Sequence, residues 1–198
     1  MKKLSIILTL LLFTGIAKAQ IQKGDVQLGG SLSINSQKSG DNKTNYFNIS
    51  PRAGFFVSDN TSIGLMVGFN SLTQDVFDTG TATIVEGVNN QFQAGVYSRF
   101  HKSLADNFYI YLQPSLSFGS GKYKVDGTET ATSNSINIGL TPGLTYFMSN
   151  RFAFELNLAN LTYAHSKLEG QGTEETTDNF NLNLNLTGIT LGLSYYIK

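Results

Sequence analysis

His165 and Ser166 stand side by side in the stretch YAHSKLEG, with Glu169 three residues on. A hydroxyl nucleophile, an imidazole base and an orienting carboxylate are what acyl transfer or ester hydrolysis requires. Adjacent side chains on an extended strand point to opposite faces, so this pair meets only if the segment is not a strand. GSGK at Gly119–Lys122 has the ending of a phosphate-binding loop. Leu116, however, stands where the first glycine of that loop falls, and Tyr123 where Ser or Thr is needed. Asp75 and Asp78 lack the alternating acidic spacing and central glycine of a helix–loop–helix calcium site. The chain has two histidines and no cysteine, and His101 lies beside a turn. No metal or cofactor motif emerges, and none is expected. Three charges remain inside otherwise apolar-alternating runs: Arg52, Arg99 and Glu155.

Those runs are the elements that must position them, and their period is two, the period of a strand with two unlike faces. Val26, Leu28, Leu32 and Ile34 share one face of the first. Phe47, Ile49, Pro51, Ala53, Phe55 and Val57 alternate with Tyr46, Asn48, Ser50, Arg52, Gly54 and Phe56 in the second. Ile63 to Phe69, Phe92 to Phe100, Phe108 to Phe118, Ile136 to Tyr146 and Phe152 to Leu158 continue the pattern. In the last run the parity changes between Leu186 and Ile189, which predicts a bulge near Thr187–Gly188, and a weaker slip falls near Asn160. The count is eight strands, each long enough for the 9–11 residues that cross a bilayer obliquely.

Short turns are expected around Ser58–Asn60, Lys102–Asn107 and Ser149–Asn150, and long loops over 36–44, 72–89, 120–133 and 165–179. Those loop spans hold five lysines against ten acidic residues, an acidic rim. Ahead of the first strand, Lys2 and Lys3 precede an apolar run from Leu4 to Ile16 and then Ala17-Lys18-Ala19. This pattern predicts a secretory signal peptide over residues 1–19, leaving residues 20–198 as one domain. Without residues 1–19, eleven basic residues face fourteen acidic ones, which is no electrostatic footprint for nucleic acid.

Alternation alone does not say which face is inside, because a soluble ligand-carrying barrel alternates in the same way. Size decides. An eight-stranded barrel is just wide enough for side chains to fill it, and the polar face holds the small residues Gly29, Ser31, Gly54, Gly64, Gly68, Gly95, Ser115, Ser117, Gly139 and Gly143. The face crowded with Phe, Leu and Ile would overfill that space and is expected to point outward into lipid. Phe55, Phe100, Phe108, Tyr146, Phe152 and Tyr195 fall at the short-turn ends of that face, and Phe47, Phe69, Phe92, Phe118 and Phe180 at the other ends. Two aromatic rings bracketing an aliphatic band match the girdles of a transmembrane barrel. The fold expected is therefore all-β, an eight-stranded antiparallel up-and-down transmembrane β-barrel.

At SPRAGFFVSDNTSIGL, with VYSRF at residues 96–100 and the closing LGLSYYIK, the chain resembles the outer-membrane β-barrel domain family, small porin-like eight-stranded proteins broadly similar to OmpX and OmpW. The resemblance implies an integral protein of the cell outer membrane, surrounded by outer-membrane lipid and inserted by the outer-membrane assembly machinery. For most members it implies no established chemistry. Arg52, Arg99 and Glu155 are expected to form a structural ion-pair network in the lumen, with Tyr97, Tyr109, Tyr111 and Gln113 packed around it; a charge gate in a narrow pore is the functional alternative. The expected function is non-enzymatic and monomeric, structural or interacting through long extracellular loops, with at most a narrow porin-like conductance. A lipid-modifying barrel enzyme using His165 and Ser166, or a soluble periplasmic carrier with an apolar cavity, are the alternatives. The small solute or external partner is left open.

Overall fold

The structure is a computed structural model that describes residues 21–40, 42–78, 83–170, 172–184 and 190–198. The expected signal peptide and the parity change near Thr187–Gly188 lie outside the described residues.

Ten strand segments form one antiparallel sheet: β1 (Val26–Ser39), β2 (Asn42–Ser58), β3 (Thr61–Asp78), β4 (Thr83–Ala105), β5 (Phe108–Val125), β6 (Thr128–Phe147), β7 (Phe152–Asn157), β8 (Ala159–Gly170), β9 (Thr173–Leu184) and β10 (Thr190–Ile197). Each of β1 to β6 pairs with the next, β6 continues to β7, β7 to β10, and β10 returns to β1, where Val26 faces Ile197. The ladder therefore closes on itself through the β1–β10 junction, from Val26–Ile197 to Ser31–Gly192; among the described residues, β1 beyond Ser31 pairs with β2 alone and β9 with β8 alone. β8 follows β7 after Leu158, and β9 leads into β10, so the ten segments build eight walls.

The β7–β8 interruption has a local cause. Leu140 pairs with Leu161, whereas Gly143 pairs with Asn157, so the β7–β8 side advances one residue more than β6 does. A single extra residue of this kind is a bulge. It sits opposite Pro142, whose carbonyl accepts a bond from Leu158 N–H at 3.0 Å. The ladder between β2 and β3 omits Ser50 and Pro51 while keeping register on either side, and that between β4 and β5 does the same opposite Pro114. Each proline thus stands where one neighbouring ladder is open, as a residue without an N–H requires.

Sidedness follows the packing argument. Leu112 and Leu116 are 42% and 38% exposed, and Phe55, Phe100, Phe152, Phe47, Phe69, Phe92, Phe118 and Phe180 are all exposed on the same outer face. Ser115, Ser117 and Gly139 line the interior. The small inner residues leave room for large ones: a Cβ at Gly64 would lie 2.6 Å from Tyr97 Cζ and against the Ala53 carbonyl. Glycine on the β3 wall therefore lets the Tyr97 ring lie against that wall, with its hydroxyl beside Gly54.

The spans expected as long loops are strands. β1 runs to Ser39, β3 to Asp78, β5 to Val125 and β8 to Gly170, and each hairpin turns within a few residues. Asp126 and Gly127 both have positive φ, 49° and 75°, the two-residue turn that an Asp-Gly pair favours. Polar residues on both faces of these segments hid the strand signal, because outside the membrane neither face needs to be apolar. The walls reach up to 23 residues in β4, more than a crossing needs, and so project well past the upper aromatic ring.

Leu112→Arg, on the lipid face between the two aromatic rings, is expected to cost about 2–4 kcal/mol. Folding into phosphatidylcholine vesicles, read by heat-dependent gel mobility, should fall accordingly. Gly64→Val should also impair folding, and Tyr97→Ala should partly restore it.

Candidate functional site

The polar lumen is crossed by a network drawn from β1, β2, β4, β5, β7 and β10. Glu155, on β7, is 2% exposed and Arg99, on β4, is 1% exposed. Glu155 Oε2 accepts from Arg52 Nη2 and lies 2.9 Å from Arg99 Nη1. Its Oε1 accepts from Ser194 Oγ and, at 2.6 Å, from Gln27 Nε2. Arg99 also donates through Nε and Nη2 to Gln113 Oε1 at 2.9 and 2.6 Å, and its guanidinium lies 4.1 Å over the Tyr111 ring. Tyr111 Oη donates to Asn157 Oδ1 at 2.5 Å. The strand parity that turns Phe and Leu outward turns all these groups inward, where each charge must find a partner or remain uncompensated.

Below this network, toward the end where Asp25 meets Lys198, the lumen is filled by aromatic rings. Phe147 packs on Tyr196 at 4.7 Å and on Tyr109 at 5.6 Å, and Phe56 packs on His101 at 5.3 Å and on Tyr196 at 6.0 Å. Ile21 is buried with them. The segment carrying it is held by Gly24 N–H on the Phe56 carbonyl and by an ion pair between Asp25 and Lys198 at 3.2 Å.

The sequence-expected residues fall into two groups. Arg52, Arg99 and Glu155 come together, with Tyr97, Tyr111 and Gln113 around them. Tyr109 sits lower, in the aromatic layer. His101 lies within β4, which continues through it to Ala105, and its ring is buried among Phe56, Tyr109 and Tyr111. Gln27 and Phe56 have inner-face parity in the sequence but were not singled out as part of the lumen packing, and neither were Phe147, Ser194 and Tyr196. A usable signal existed, since Phe56 and Tyr196 are aromatics at polar-face parity near the short-turn ends of their strands.

His165 and Ser166 are both within β8 and separate as a strand demands. His165 Nδ1 meets Asp178 Oδ1 at 2.8 Å on the outer face, and Ser166 Oγ donates to the Thr177 carbonyl at 3.3 Å. Beyond the upper aromatic ring, Lys167 bridges Glu169 and Glu174 at 2.8 and 3.0 Å, and these carboxylates hold its ammonium above the ordinary lysine range.

A closed antiparallel ladder, an apolar belt outside and a charged, aromatic-packed lumen inside together define a membrane-spanning β-barrel. The family model described as outer membrane protein beta-barrel domain matches residues 5–196, and the chain belongs to that family. It is a protein of the outer membrane. Among solved structures, the outer membrane protein OprG from Pseudomonas aeruginosa is similar with a TM-score of 0.55 at 10% identity, over 92% of this chain and 99% of that one. Neisserial surface protein A gives 0.48 at 13% identity, over 86% and 95%. A major outer membrane protein from Thermus thermophilus gives 0.47 at 13% identity, over 89% and 100%. No curated protein matches the sequence.

Glu155→Ala leaves two guanidinium groups sharing the lumen without a carboxylate, and it is expected to destabilise the barrel by about 3–5 kcal/mol. Urea unfolding from vesicles should show the shift, and wild-type stability would rule the network out as a structural element.

Proposed function

We propose that this barrel is non-enzymatic and closed at its periplasmic end, and that it acts outside the cell through the hairpins projecting beyond the membrane. The observation carrying this reading is the double obstruction of the lumen: the Arg52–Glu155–Arg99 network, and beneath it the Phe56, Tyr109, Phe147 and Tyr196 rings with Ile21. Side chains filling so narrow a tube leave no continuous water column. The network is then structural, fastening strands on opposite sides of the tube, and any conductance is narrow. The separation of His165 from Ser166 supports a non-enzymatic role. The projecting hairpins suit contact with an external partner, since exposed segments on a rigid scaffold are where binding commonly resides. Their excess of acidic over basic residues favours a partner surface of positive charge. A monomer is favoured by the β1–β10 junction, which joins the first and last strands within one chain.

Planar-bilayer recording tests the closed lumen. The wild-type protein is expected to show no open-pore current, and Phe56→Ala combined with Tyr196→Ala to introduce brief openings. A large steady wild-type conductance would overturn the proposal.

A further inference from the structure

The charges in the lumen do not balance. Arg52 and Arg99 are permanently protonated guanidinium groups, and one carboxylate, Glu155, contacts both. Residues 185–189, between β9 and β10 in sequence, contain no ionisable side chain. Asp25, at the periplasmic mouth, is paired with Lys198, and the remaining acidic residues lie in the turns or the projecting hairpins. The network therefore carries one excess positive charge.

Of the two guanidinium groups, Arg52 is the one that borders open space. Arg99 is engaged on three sides by Glu155, Gln113 and the Tyr111 ring. Arg52 is 10% exposed and reaches Glu155 through Nη2, but its buried Nε has no hydrogen-bond partner. The side chain forms part of the wall of a cavity of about 260 Å³ on the outward side of the network. Ser50, Ser115, Ser117, Thr141, Asn137 and Gln93 supply hydroxyl and amide groups around it, and Met66 is its one large apolar side chain.

We propose that this cavity is a binding site for a small hydroxylated monocarboxylate, of the sugar-acid class, with its carboxylate on Arg52. A guanidinium presents paired donors matching a carboxylate. One negative charge cancels the excess, and hydroxyl and amide walls can both donate to and accept from a polyol. A bare halide would use only the donors. The volume lies just below the range of drug-sized pockets, which suits a ligand of monosaccharide size or smaller. The assignment rests on the closed lumen proposed above, which makes the cavity a cup entered from outside.

The test is calorimetric titration of the full chain, refolded into phosphatidylcholine nanodiscs, with sodium gluconate, with sorbitol as the neutral counterpart and with sodium chloride. Gluconate should bind, and sorbitol and chloride should bind at least about tenfold more weakly, the equivalent of one lost charge contact. Arg52→Gln should reduce gluconate affinity by a similar factor. Ser50→Leu, which fills the cavity and leaves the three charges in place, should do the same. Should Arg52→Gln fail to fold, Ser50→Leu decides. Equal affinity for gluconate and sorbitol, equal affinity for chloride, or gluconate binding unchanged in a folded variant overturns the site. Bilayer recording separates the two proposals: a non-conducting barrel that ignores gluconate overturns this site alone, and a conducting one that ignores it overturns both.

Discussion

Closure of the backbone ladder is the constraint on which the rest of this structure depends. In hydrocarbon no water is present to satisfy a free N–H or C=O, so a sheet can cross only if its first and last strands pair. Here β1 and β10 make that junction from Val26–Ile197 to Ser31–Gly192. The three strand prolines illustrate the same accounting from the other side. Each removes a donor, and each stands beside a short opening in one ladder or opposite the Leu158 bulge.

Closure with eight walls sets a narrow bore, and the bore dictates what can lie inside. Glycines and serines on the inner face leave space for a few long side chains: Tyr97 over Gly64, Tyr111 beside Gly143, and the two arginines reaching Glu155. Fastening β2 and β4 to β7 across the tube gives the barrel contacts that its hydrogen-bonded wall lacks. The aromatic layer beneath uses the same space differently. It excludes water by ring packing near the short-turn ends, where Ile21 folds in.

Much of this was legible in the residues. The alternation of Phe108 to Phe118 with Tyr109 to Gly119 marks a strand with an outer and an inner face, and the inner position of Arg52, Arg99 and Glu155 follows from parity. The outer hairpins were not legible as strands, because beyond the membrane both faces meet water and the apolar alternation stops at Phe69, Phe92 and Phe118. Asp126-Gly127 was the available turn signal there. The burial of His101 was not legible either: its nearness to a turn in sequence gave no sign that inward parity would place it against Phe56 and Tyr109.

By itself the sequence determined the strand period, the apolar outer face and the charge types on the inner one, since these depend on neighbours one and two residues away. Only the tertiary structure decided which inner residues meet. Glu155 touches Arg52 and Arg99 across 103 and 56 positions of chain because curvature and register bring β7 opposite β2 and β4. The pairing of one carboxylate with two guanidinium groups is a property of that curvature, which no local pattern encodes.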